Sequence, residues 1–143
     1  MNTLEAAINA KGAATSALTT AFTGNLRGDG TTWAVFWDMA AEGAVQPYLV
    51  IQQLAAPMTS KYGGVLFSEP IYRFKSVAVG RAMAIANIEK VMTAFDEAIL
   101  TLTSGRVNNV TRLGDPVTTM YLPQNSAGAT EFESVVDYQY SIS

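Results

Sequence analysis

From Glu131 to Ile142 the chain alternates in strict period two. Phe132, Val136, Tyr138, Tyr140 and Ile142 fall on one side, with Ser134 as its polar member. Glu131, Glu133, Asp137, Gln139 and Ser141 fall on the other, with Val135 as its apolar exception. That pattern predicts a long strand with one face on the core and one in water. Two further strands precede it, Val107 to Leu113 and Val117 to Leu122, with the Gly114-Asp115-Pro116 turn between them. Before these, Ile85, Ile88, Met92, Phe95, Ile99 and Leu102 recur at three-to-four spacing and predict a helix over Gly80 to Leu102. Asn87, Glu89, Lys90, Asp96 and Glu97 lie off that seam, and Ser104-Gly105 supplies a stop.

The first half is patterned less regularly. Leu4, Ile8, Leu18 and Phe22 share a thin stripe that predicts an N-terminal helix, opened by Asn2 and Glu5 as a capping box and weakened by Gly12. A glycine-rich loop from Gly24 to Gly30 follows. Strands are then expected at Trp33 to Asp38, at Tyr48 to Leu54 and from Val65 to about Ala78, with an exposed hairpin loop over Met58 to Gly64. In the third, Tyr72, Phe74 and Ser76 alternate with Ile71, Arg73, Lys75 and Val77, and Pro70 demotes its first half to an edge or a bulge. The order is α-β-β-β-α-β-β-β. It specifies an α+β fold: a mainly antiparallel β-sheet, one long helix packed across it and an additional N-terminal helix. The 143 residues show no repeat and no linker, so the expectation is one domain over 1–143.

Composition then narrows the function. Charged residues make up 15% of the chain, against about 25% in ordinary soluble domains. Such a chain has little with which to wet a full surface, which suggests that part of it faces other protein. Histidine and cysteine are absent. That excludes a disulfide framework, a Cys/His zinc site, a thiol nucleophile and a Ser–His–Asp triad. The net charge of −3 and thinly spread basic residues argue against a dedicated nucleic-acid binder. The longest uncharged run, Gly43 to Ser60, is broken by prolines and glutamines and does not read as a membrane span.

Candidate chemistry is sparse. Glu131 and Glu133 share one strand face and would suit an acid–base or metal pair, but a solvated or intersubunit acidic stripe is the ordinary reading. Asp96-Glu97 reads as a solvated helix face. The Gly24–Gly30 loop has the wrong neighbours for a phosphate cradle, and its Arg27-Gly28-Asp29 tripeptide arises by chance in many loops. Trp33, Phe36, Trp37, Tyr72, Phe74, Tyr138 and Tyr140 read as core rather than as a base-stacking platform. Arg73 and Lys75, two apart on one strand face, either pair with the Glu131/Glu133/Asp137 face of a neighbouring chain or belong to an ordinary wet surface.

From about Gln46 to Ser143 the text resembles the bacteriophage tail-terminator (tail-completion) family. The resemblance rests on the strand opening Pro47-Tyr48-Leu-Val-Ile and on Tyr72-Arg-Phe-Lys-Ser-Val-Ala running into the alanine-rich helix Gly80-Arg-Ala-Met-Ala-Ile-Ala-Asn-Ile-Glu-Lys-Val-Met. It also rests on the Leu100-to-Val110 link and on the closing strand Val135-Val-Asp-Tyr-Gln-Tyr-Ser-Ile. The Met58–Pro70 and Gln124–Thr130 stretches are longer or richer in glycine than a minimal member needs. The resemblance implies a structural protein in the tail or neck of a virion, not an enzyme and without cofactor. Six copies would form a ring that ends the tail tube, bind the tail-tube protein and a head-side connector or stopper, and let genome DNA pass without sequence-specific binding. Arg73, Lys75, Glu131, Glu133 and Asp137 would then face the lumen or a neighbouring subunit. The rivals are another neck or head-completion protein, a small carboxylate-using ligand-binding or hydrolytic domain, and a free-standing interaction module.

Overall fold

The last strand organises everything else. A computed structural model describes residues 3–24, 33–40, 44–55, 59–62, 65–121 and 131–143. The expected Asn2 cap, the Gly24–Gly30 loop beyond Gly24, Met58 and the Gln124–Thr130 stretch therefore lie outside the described residues. Among those described there are three helices, α1 (Thr3–Ala14), α2 (Ser16–Ala21) and α3 (Arg81–Phe95). Eight strands form one sheet: β1 (Val35–Trp37), β2 (Tyr48–Ala55), β3 (Thr59–Tyr62), β4 (Val65–Ser68), β5 (Ile71–Ala78), β6 (Val107–Arg112), β7 (Val117–Tyr121) and β8 (Glu131–Ile142). The fold is α+β, as the pattern predicts. The path across the sheet is β1-β2-β5-β8-β4-β3, with β6 and β7 both on β8, and every pairing except β1–β2 is antiparallel.

β8 is long because it serves two strands on each side. On one side β5 and then β4 pair with it in a single register, from Ala78↔Phe132 through Ile71↔Gln139 to Ser68↔Ile142. The expected strand from Val65 to Ala78 is thus one extended path, interrupted only at Glu69-Pro70. Tyr140 N donates to Pro70 O at 3.0 Å, but proline has no N–H to return, so the ladder lapses there. On the other side β6 and β7 follow one another along the same edge of β8. Arg112 sits opposite Tyr138 and Val117 opposite Val135, so residues 113–116 bulge outward past only two residues of β8. Gly114, at φ 90°, takes the left-handed turn this requires. Where a loop was expected, β3 forms instead: Thr59–Tyr62 pairs with β4, and Gly63-Gly64 lies between Tyr62 and its partner Val65.

Both helical expectations need correction. The N-terminal stripe is split at Thr15, whose backbone is extended and whose Oγ1 donates back to Lys11 O at 2.6 Å. That side-chain bond competes with continuation of the helix. The long helix ends at Phe95 rather than Leu102, and Glu97 lies in the left-handed region at φ 57°. Its buried face is Ala84, Asn87, Ile88, Val91 and Phe95, whereas Ile99 is exposed and Ile85 and Met92 are half-buried. The face is rotated toward small and polar residues. Opposite it the sheet presents Ser76 and Ser134, in register and fully buried, a surface low enough for close approach.

Most of the core lies between the helices and one sheet face, while Phe36, Tyr48, Val50 and Val77 are buried on the other. Leu49, Ile51, Phe74, Val136, Tyr138 and Tyr140 are buried on the helix side with Leu4, Ile8, Leu18 and Phe22. Phe74 stands edge-on to Phe95 at 5.0 Å and to Tyr138 at 5.5 Å. Each such side chain contributes about 1.5–3 kcal/mol by leaving water, against about 0.2–1 kcal/mol for an exposed ion pair. Aromatic burial therefore holds this fold, and charge pairing adjusts it.

Candidate functional site: the charged face of the sheet

Odd-numbered residues of β8 point away from the helices. Tyr140 N bonds toward the β4–β5 side, and Asp137 O accepts from Leu113 N at 2.8 Å on the β6–β7 side. Even residues of β8 therefore bond toward β5 and odd ones toward β6 and β7, so Arg73↔Asp137 is a closely spaced pair without mutual backbone bonds. Side chains approach most closely at such pairs. Arg73 Nε and Nη2 donate to the two carboxylate oxygens of Asp137 at 2.9 and 3.1 Å, a two-pronged contact. The bond to Asp137 raises the Arg73 pKa further, desolvation opposing it only in part. Lys75 sits opposite Val135 and reaches diagonally to Glu133 at 3.9 Å. Glu131 accepts from Gln46 Nε2 at 2.5 Å.

The five residues singled out in the sequence are therefore brought onto one face, but their charges meet within one chain. Arg73 pairs with Asp137 and Lys75 with Glu133 between β5 and β8 of the same molecule. Glu131 and Glu133 each have a partner, Gln46 and Lys75, which disfavours an acid–base couple between them.

A second cluster was not foreseen. Asp96, expected on a solvated face, caps the end of α3 and accepts from Tyr138 Oη at 2.5 Å. Arg112 Nε lies 3.4 Å from the same Asp96 oxygen, and Arg112 Nη1 lies 3.7 Å from Asp115. Burial first, then the bond to Asp96, pushes the Tyr138 hydroxyl well above its ordinary pKa, and burial does the same to Tyr140. Asp96, Arg112 and Asp115, with Glu97, Val110, Thr111 and Gly114, line a groove of about 590 Å³. Asp96 is committed to Tyr138 and Arg112, and among the described residues no group of three or more acidic side chains is placed to hold a metal ion. The Asp96–Tyr138–Arg112 cluster draws on three separated segments, and only the alternation that points Tyr138 inward toward α3 hints at it in the sequence. The stacking-platform aromatics are buried apart from Trp37, which is half-buried, so the core reading of them is the right one.

No protein-family model and no curated protein sequence matches the chain. A solved structure does. The chain is similar, at a TM-score of 0.68 and 17% identity, to a chain in the virion of a native gene transfer agent (GTA) particle. The likeness covers 98% of this chain and 94% of that one. At that identity it establishes a shared fold over essentially the whole length of both.

Proposed function

We propose that the chain is a structural virion protein of a phage-like particle, a tail terminator that forms a ring on the head-proximal end of the tail tube and meets the head-side connector. The observation that carries this reading is the end-to-end likeness to a chain of the gene transfer agent virion. The resemblance of Gln46 to Ser143 to the tail-terminator family supports the tail-end part of this reading. Six copies, the tail-tube protein and a head-side stopper or connector are the partners of this reading.

The charged face suits such a part. Its two cations are engaged by carboxylates of the same chain, which leaves two basic against three acidic groups. A lumen lined this way would release passing DNA rather than grip it, because among the described residues this face offers phosphates no free cation cluster. The same neutralised face would also pack against a neighbouring subunit.

Tail tubes purified without their terminal protein provide the test. Mixed with this chain and viewed in negative stain, they should acquire a ring at one end only and cease to lengthen. Binding to isolated head-side portal rings instead, with bare tube ends, would make it a head-completion component. Binding to neither would end the virion-neck reading.

A further inference from the structure

β3 and β4 reach past the end of β8 as a two-stranded arm. β4 shares a single pair with β8, Ser68↔Ile142, and Ile142 is the last residue of β8. Val65 to Phe67 and their partners Ser60 to Tyr62 therefore lie beyond it, three residues on each strand, or about 10 Å. Among the described residues β3 packs against β4, and β4 against β3 and the end of β8. Val65-Leu66-Phe67 is a continuous apolar run, and consecutive residues of a strand take opposite faces. Both faces of the arm thus carry apolar residues. From Thr59 to Ser68 its one charge is Lys61. A two-stranded ribbon is marginally stable by itself in water, so this one is suited to being covered by another surface.

At the other end of the same strands, α3 begins just after the pair Ala78↔Phe132. Its outward side changes character along its length. Ala82, Met83 and Ala86 are exposed over the first two turns, with Val79 exposed just before the Gly80 cap. Val79 is 68% and Met83 50% exposed. Spacings of three and four place Ala82, Met83 and Ala86 on one helix face, turned away from the buried Ala84, Ile88 and Val91. Only after them do Glu89, Lys90 and Thr93 take over the exposed side. Between Val79 and Ile88 the one charge is Arg81. An apolar face turned to water on a helix whose other face already serves the core marks a contact surface.

Ser68↔Ile142 and Ala78↔Phe132 stand ten positions apart in one register, or about 33 Å. The arm points away from the start of α3, so a chain cannot cover its own helix face with its own arm. A contact that uses one of each joins unlike ends of two copies, and contacts of that kind close into rings. We infer that the β3–β4 arm docks on the Val79, Ala82, Met83 and Ala86 face of a second copy of this chain. The strands then run around the ring rather than along its axis. This rests on the ring reading and names the two surfaces through which the ring is built. Covering an arm and a helix face that are both poor in charge is in keeping with the low charge of the whole chain.

The absence of native cysteine makes the test clean. Cysteine pairs are placed with one member at Ser60, Lys61 or Tyr62 and the other at Val79, Ala82 or Met83. Oxidised at ring-forming concentration or on tube ends, at least one pair should give a ladder of linked chains ending at the ring number. Met83→Lys puts a charge on the helix face, and replacing residues 59–68 with a two-residue turn removes the arm. Both should abolish assembly at concentrations where the parent assembles, while Ala10→Lys, at an exposed position of α1, assembles as the parent does. Thermal melts of each variant verify folding, and Met83→Lys alone decides if the shortened chain does not fold. Normal assembly by Met83→Lys overturns the inference, as does a disulfide from Ser60→Cys alone joining arm to arm. An arm cysteine that links to the tail-tube protein instead of a second copy overturns it too. Rings that cap tubes regardless of Met83 would refute the contact and leave the terminator reading standing. A chain monomeric both in solution and on tubes refutes both.

Discussion

Arg73 and Asp137 stand directly opposite one another on neighbouring strands, joined through two hydrogen bonds at 2.9 and 3.1 Å. Their side chains are 38% and 21% exposed, so water screens the pair in part. A pair of this kind contributes about 0.2–1 kcal/mol, enough to favour register and too little to hold the sheet. A double-mutant cycle with Arg73→Ala and Asp137→Ala should give a coupling energy near the top of that range in urea unfolding. The Lys75–Glu133 contact, at 3.9 Å with one prong, should couple more weakly. Equal coupling in the two cycles would contradict the geometry.

The same pairs separate chain stability from assembly. Lys75→Glu with Glu133→Lys exchanges the charges inside one chain and should restore whatever stability either single change loses. If the face lines a lumen, rings of the single variants should still close, with altered salt dependence of DNA passage. If it meets a neighbour, the singles should impair ring closure, as light scattering would record.

How far the sequence carried the reading can be seen in β8 and α3. Every inward residue from Ser134 to Tyr140 is buried as alternation demands, because a strand has only two faces and no rotational freedom. A helix can turn about its axis. Hydropathy alone places Ile85, Ile99 and Leu102 on the buried stripe, yet α3 turns Ala84 and Asn87 inward, and the sheet carries the small buried Ser76 and Ser134 in register. The Asp96–Tyr138–Arg112 cluster was out of reach for a different reason. Its members are separated by up to 42 positions and meet only because β6 pairs with β8 next to the end of α3.

Gly12 is a second place where local text misleads. It weakens the predicted stripe, yet it is buried, and a Cβ there would lie 2.2 Å from the Trp33 ring. Trp33 is itself fully buried, with Nε1 donating to Asn9 Oδ1 at 3.1 Å. Gly12→Ala gains about 1 kcal/mol of helix propensity but forces the indole out of place, at a cost of about 1–3 kcal/mol. Net destabilisation with a red-shifted tryptophan emission is expected. Gly80→Ala, where a Cβ meets nothing within 4 Å, is the control and should leave the emission unchanged.

Two buried serines, opposite each other on β5 and β8, should behave oppositely. Ser134 Oγ shares a hydrogen bond with Thr118 Oγ1 at 3.1 Å, whereas Ser76 Oγ is buried without a partner among the described residues. Removing a partnered buried hydroxyl costs about 1 kcal/mol, and removing an unpartnered one relieves a desolvation penalty. Ser134→Ala should lower the unfolding midpoint, and Ser76→Ala should hold or raise it. A large loss from Ser76→Ala would reveal a partner, such as an ordered water.

Alkali should unfold the protein through the tyrosines of β8. Tyr138 and Tyr140 are fully buried, and burial raises both hydroxyl pKa values. In the unfolded chain each ionises near pH 10. Above that pH the unfolded state sheds protons that the folded state retains, so stability is intact below about pH 10 and falls as pH rises through it. Each tyrosine adds a slope of up to about 1.4 kcal/mol per pH unit. Tyr138→Phe should make the decline shallower above pH 10, while at neutral pH it removes the bond to Asp96 and lowers stability by about 1–2 kcal/mol. Urea melts of parent and variant between pH 8 and about 11.5 should therefore converge as pH rises. Parallel curves would mean that Tyr138 ionises as freely in the fold as outside it, and that its hydroxyl is not held by Asp96.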